Sequence, residues 1–254
     1  MRTAPVCLVL LASCTPLGTR LAETGHPTPE AAAKAEKDLA APAAPPAPVL
    51  PPVAPELISH GRRDRKLIAL TFDACSTRDP SKYDARVTAA LLAANAPATI
   101  FLGGSWAKEE VAFTHPHLSA LKDEARIRDE LVRTQAEVKA LTGHQPRLFR
   151  PPYGEYDQRV VKIAGDLGLV TVEYDLPSGD PDVHATKERL VQWVLSQAKP
   201  GSIVVMHINH LKFHTAEALP DIIGGLRARG FTLVTVGQLI GDLNPGGPAV
   251  GAAP

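Results

Sequence analysis

The chain is poor in cysteine, has no excess charge of either sign and contains no long apolar run. Each lack narrows what it can be. Of the 254 residues only Cys7, Cys14 and Cys75 are cysteines. The first two stand in an N-terminal stretch with the makeup of a targeting signal. Cys75 is therefore expected to be the one thiol left in the mature protein, which excludes an intramolecular disulfide. Lys plus Arg and Asp plus Glu number 27 each. No overall field then favours nucleic acid or an acidic substrate, and no nucleic-acid partner is expected. The apolar run from Val6 to Ala12 follows Arg2 and is too short to span a bilayer, so it reads as a signal peptide rather than a membrane helix.

That run ends in Leu11-Ala12-Ser13-Cys14, which resembles a bacterial lipobox. The resemblance implies that Cys14 is lipidated after cleavage and anchors the protein in the cell envelope, periplasm-facing or outer-membrane, with no other membrane contact. The alternative is an ordinary secretory signal. Residues 15–55 read as an Ala/Pro-rich tether. Seven prolines fall within residues 41–55, and polyproline II at ~3.1 Å per residue would reach roughly 45 Å. From Glu56 to residue 242 the composition is that of a single globular domain, expected to be monomeric, with 243–254 as a flexible tail.

Within the domain, apolar runs alternate with amphipathic segments. The runs at 67–72, 98–102, 147–149, 169–174, 202–206 and 231–236 lack polar alternation, as expected for strands covered on both faces. Helices are expected near 83–95, 118–142, 157–167, 187–198 and 215–229. The longest has Leu121, Ile127, Leu131, Val138 and Leu141 near one face and stops at Gly143. This alternation predicts an α/β fold with a parallel sheet, open or closed into a barrel. In such folds the chemistry sits at the carboxyl ends of the strands. Four runs end there in a reactive side chain: Asp73, Arg150, Asp175 and His207.

The segments "LTFDAC", "THPHL", "FRPPYG", "YDLPSGD" and "VVMHINH", in this order, resemble the five motifs of the polysaccharide deacetylases of carbohydrate esterase family 4, the NodB-homology domain. The resemblance spans roughly residues 60–240. It implies an irregular (β/α) barrel and hydrolysis of N- or O-acetyl groups on a polysaccharide such as peptidoglycan, chitin-type oligomers or exopolysaccharide. It also implies a divalent metal, zinc first, with cobalt, manganese or nickel as alternatives. A Lewis-acidic metal would polarise the acetyl carbonyl and lower the pKa of a bound water. By the motif match, Asp73 is the general base, Arg150 orients it, His207 is the general acid and Asp180 holds that imidazole. Pro152 and Tyr153 form the turn whose backbone N–H faces the oxyanion.

Two departures bear on activity. The family carries a second Asp after the base as a metal ligand, where this chain has Ala74 and then Cys75. Asp84, from the first helical turn, is the candidate replacement, or else a simple helix-start Asp. Cys75 is a soft ligand or a small buried hydrophobe. The second motif, His-x-x-x-His, retains His115, but Val111 stands four residues earlier. Only ten residues separate Gly104 from His115, too few for a parallel crossover, so one strand-helix unit is expected to be missing and the barrel incomplete. His117 could substitute as a ligand. His210 and His214 read as a histidine-lined substrate rim next to His207, or as a metal site of their own. The alternative function is a catalytically inactive glycan-binding envelope lipoprotein. A damaged barrel with exposed strand edges is a third reading.

Overall fold

The structure is a computed structural model that describes residues 50–74, 82–103 and 117–243. Strand β1 (Leu57–Ile58) precedes the long central strand β2 (Leu67–Ala74), whose residues are nearly all buried. Helix α1 (Ala85–Ala93) and strand β3 (Thr99–Leu102) follow. Next come α2 (Glu124–Thr142), β4 (Leu148–Phe149), α3 (Gln158–Asp166), β5 (Val170–Val172) and β6 (Leu176–Pro177). The chain then runs through α4 (Lys187–Gln197), β7 (Ile203–His207), α5 (Thr215–Ala228), β8 (Thr232–Val234) and α6 (Val236–Leu243).

Each named ladder is parallel. One sheet has the order β3-β2-β7-β6, with β8 pairing the first residues of β2; the other has the order β1-β5-β4. The two sheets face each other across a shared core of Ala69, Val172, Ile203, Val236 and Leu239, into which Phe101 and Leu148 also pack. Among the described residues no ladder joins β3 to β4 or β5 to β6, so the ring of strands is not closed by hydrogen bonds. The gap between β3 and β4 falls where the missing unit is expected, and it is bridged by Arg150, whose guanidinium carbon lies 4.1 Å from the Phe101 ring centroid. Helices cover the outside: α1, α4 and α5 pack on the first sheet, α2 and α3 on the second.

Local sequence explains the helix ends. Asp84, Asp123, Asp157 and Thr186 cap α1, α2, α3 and α4, each accepting a backbone N–H of the first turn. Gly143 ends α2 in the left-handed region, φ 74°.

Three expectations need correction. The helix expected over 118–142 is a 3-10 turn at 118–120 followed by α2, because Asp123 caps a fresh start after Leu121 goes extended. Ile127 and Leu131 are buried, but Leu141 is half exposed, since the last turn runs past the core. The run 231–236 stops as a strand at Val234. Thr235 and Gln238 exchange hydrogen bonds (Thr235 N to Gln238 Oε1, 2.9 Å; Gln238 N to Thr235 Oγ1, 3.2 Å), a capping box that starts α6 instead. Residues 50–55, assigned to the tether, lie along α3: Val53 N donates to Gly165 O at 2.9 Å. A Cβ on Gly168 would sit 2.4 Å from Leu50 Cβ, so this close approach requires glycine.

Candidate active site

Asp73 and His207 are register partners on adjacent strands β2 and β7, both at the carboxyl end. Parallel pairing thus brings an acidic and a basic side chain side by side from residues far apart in sequence. Arg150 follows β4 and reaches across to β2. Its Nη1 donates to Asp73 Oδ1 at 2.7 Å and to Thr71 Oγ1 at 2.9 Å, while Nε reaches Val172 O at 3.3 Å. The arginine side chain is 3% exposed and that of Asp73 22%. A guanidinium so buried must be paired and hydrogen-bonded, and here it holds the aspartate in one orientation through Oδ1.

The second pair is His207 with Asp180, which follows β6. Asp180 is 1% exposed. Its Oδ1 accepts from Ser178 Oγ at 3.0 Å and lies 2.9 Å from His207 Nδ1. Its Oδ2 accepts from His207 N and from Thr215 Oγ1, both at 2.7 Å. A carboxylate held by four bonds fixes the ring plane and assigns the ring proton to Nδ1. Burial alone would lower the imidazole pKa. The hydrogen bond and charge of Asp180, with a further contribution from Asp73, outweigh it, so His207 is raised above its ordinary 6.5.

Two residues after Arg150 comes the Pro152–Gly154 turn. Tyr153 has φ +61° and Gly154 φ +67°. A tyrosine in the left-handed region costs about 1–3 kcal/mol, strain of the kind that clusters at functional sites. The Tyr153 ring is exposed and stacks on His117 (centroids 4.1 Å, planes 8° apart), and His117 Nδ1 lies 2.7 Å from Glu155 Oε2.

Other sequence candidates go elsewhere. His210 stacks on Phe213 at 4.4 Å and lies edge-on to His207 at 6.4 Å, so it adjoins the acid. His214 turns away, its Nδ1 2.7 Å from Glu217 Oε2, so the three histidines of this segment form two separate groups. Asp175 does not mark a carboxyl end. β6 begins immediately after it, which puts Asp175 beside the start of β7, where it accepts from Ile203 N, Ser202 Oγ and Arg63 Nη2.

Asp84 is 2% exposed, and both of its oxygens are taken: Oδ1 by Arg86 N and Nε, Oδ2 by Arg86 Nη2. The Arg86 hydrogen bonds hold its carboxyl below the usual carboxylate range. This is a capped helix start, and the charge a metal would need is already neutralised. His115, Cys75 and Cys14 lie outside the described residues. Among the described residues no three His, Cys, Asp or Glu side chains come together to hold a metal, so those present do not complete the metal site that the motifs imply.

One acidic residue went unread. Glu173, within the run 169–174, is 7% exposed, and its Oε1 has no hydrogen-bond partner. Burial pushes its carboxyl up to about 7, with Arg150 opposing and Asp73 adding to the rise. The signal was available: a charged residue inside an otherwise apolar strand run. Thr71, Ser178 and Thr215, whose hydroxyls bond the site's charged groups, left no comparable mark.

The polysaccharide deacetylase family model matches residues 60–112 and 111–172, two pieces that meet where the lost strand-helix unit is expected. Peptidoglycan-N-acetylmuramic acid deacetylase PdaA of Bacillus subtilis is 29% identical over 199 residues, 71% of this chain and 73% of that protein. A bifunctional xylanase/deacetylase of Pseudobutyrivibrio xylanivorans is 29% identical over 194 residues, 70% of this chain but only 31% of its partner's length. Among solved structures, a CE4 family pseudoenzyme from Bacillus anthracis has a TM-score of 0.67 at 28% identity, covering 75% of this chain and 70% of that one. A mutant of the same pseudoenzyme with restored enzymatic activity also has a TM-score of 0.67, at 29% identity over 75% and 73% of the two chains. The five ordered motifs, the parallel sheets that carry them and these relatives lead to one conclusion: over residues 60–172 the chain matches the polysaccharide deacetylase family, and the solved structures it resembles are of carbohydrate esterase family 4.

Proposed function

We propose that this protein hydrolyses acetyl groups, N- or O-linked, on an envelope or plant-type polysaccharide. The observation that carries this reading is the registered neighbourhood of the Asp73–Arg150 and His207–Asp180 pairs. In the proposed reaction Asp73 takes a proton from water as its oxygen bonds to the acetyl carbonyl carbon. Protonated His207 gives a proton to the leaving nitrogen or oxygen as that bond breaks, and acetate departs. Donors near the 152–154 turn stabilise the charge on the carbonyl oxygen. The raised pKa of His207 suits an acid that must be charged near neutrality. Relatives named as a peptidoglycan-N-acetylmuramic acid deacetylase and as a xylan deacetylase support keeping both the amide and the ester as substrate chemistry. In the same reading the protein is exported, held in the envelope through Cys14, and acts as a monomer on a glycan partner.

A second reading has a specific observation behind it. The incomplete ligand set among the described residues, together with the likeness to a pseudoenzyme, favours a glycan-binding protein that kept the groove and lost turnover. Zinc titration into chelator-stripped protein separates the two. Tight binding near one ion per chain supports the hydrolase, with ligands contributed from outside the described residues. No binding by folded protein supports the glycan binder.

A further inference from the structure

Next to the acid pair, a second concavity opens between the segment after β6 and helix α4. Ser178 and Gly179 form one wall, Arg189, Gln192 and Trp193 the other, and Asp182 also lines it. Its volume of about 390 Å³ falls in the roughly 300–1,000 Å³ range of small-ligand sites. The cleft belongs to none of the five motif roles, although its floor touches one: Ser178 Oγ is the donor to Asp180 Oδ1.

Three features describe what the cleft would take. Trp193 is 48% exposed and offers its apolar face on α4. Its Nε1 donates to Pro177 O at 2.9 Å, so the indole is already fixed in place and loses little freedom on binding a ligand. The polar part of the lining mixes one acid, one base, two amides and two hydroxyls, which gives donors and acceptors without net charge. Arg189 and Asp182 are themselves anchored, to His184 O and His184 N, so the mouth is as preorganised as the aromatic wall. A flat apolar face beside neutral hydrogen-bonding groups complements a pyranose ring, which presents C–H bonds on its faces and hydroxyls at its edge.

We propose that this cleft is a sugar-binding subsite in which Trp193 stacks against a neutral pyranose unit of the same polysaccharide that reacts at His207. The inference rests on the glycan reading above and adds where the chain of sugars continues: over Ser178 and Gly179 toward α4. Polymer substrates then bind more tightly than single sugars because the distant unit contributes contacts that the reacting unit lacks.

The sequence has two tryptophans, Trp106 and Trp193. Replacing Trp106→Phe leaves Trp193 as the sole indole reporter. Titration of this protein with N-acetylglucosamine pentamer and with xylopentaose is expected to give a saturable change in Trp193 emission for at least one of them, and a much weaker response to the monosaccharide. By calorimetry Trp193→Ala should bind that pentamer about tenfold or more weakly, with Gln192→Ala intermediate. Unaltered emission at millimolar pentamer, or equal affinity in Trp193→Ala, overturns the subsite. Acetate assays on the N-acetylglucosamine pentamer and on O-acetylated xylopentaose keep the two claims apart. Binding without acetate release retains the subsite and removes the hydrolase reading, whereas release with a KM unmoved by Trp193→Ala does the reverse.

Discussion

Replacing Glu173→Gln should change how stability depends on pH more than any other single substitution near the site. The carboxyl is 7% exposed with one oxygen unpartnered, and its pKa rises from an ordinary 4.5 to about 7. The folded state therefore holds the proton more tightly than the unfolded chain does. The stability linked to that proton is fully present below pH 4.5, falls as pH rises from there through about 7, and stays lost above it. At ~1.4 kcal/mol per pKa unit the whole interval is worth about 3 kcal/mol, and the part lying between pH 5 and pH 8 about 2–3 kcal/mol. Glutamine keeps the shape and cannot ionise. Urea unfolding at pH 5 and pH 8 should show the variant gaining about 2–3 kcal/mol on the parent over that interval, with equal m values. Stability curves that run parallel for the two proteins would refute the reasoning, because Glu173 would then titrate as an ordinary solvated carboxylate.

Other substitutions test separate parts of the account. Arg150→Ala removes the partner of Asp73 and the bridge from β4 to Phe101. A loss of about 3–5 kcal/mol in denaturant unfolding is expected for a broken buried pair, and a change under 1 kcal/mol would contradict the pairing. His207→Ala should abolish acetate release while leaving the circular dichroism spectrum unchanged, whereas persistent turnover would remove His207 from the chemistry. Thr235→Ala deletes the capping box of α6 and should lower the thermal midpoint through a cost of about 0.5–2 kcal/mol; an unshifted midpoint would mean that α6 is held by packing alone.

The apolar runs located the strands because parallel strands buried on both faces leave an unbroken hydrophobic signature, and the polar residue closing three of those runs stands at a carboxyl end. Asp73, Arg150 and His207 were legible for that reason. Asp175 misled because a run long enough for one strand covers β5 and the approach to β6, and residue order alone does not say which strand a boundary aspartate belongs to. The capping box at Thr235 was hidden by β-branched neighbours that continue the strand composition into a helix start. Asp84 shows a different limit. A short carboxylate at a first turn reads equally as ligand or cap, and only the position of Arg86 two residues on decides how its oxygens are used. Glu173 lies in plain view in sequence, but its burial depends on β5 sitting between β1 and β4, a long-range fact.

The claim that Asp73 and His207 form a hydrolytic pair is tested most directly by acetate release from N-acetylated peptidoglycan and O-acetylated xylan, with zinc supplied, comparing the parent protein with Asp73→Asn. The account predicts steady release by the parent from at least one substrate and loss of it in the variant, with both proteins folded. Release undiminished in Asp73→Asn, or none from the folded parent on either substrate, would contradict it.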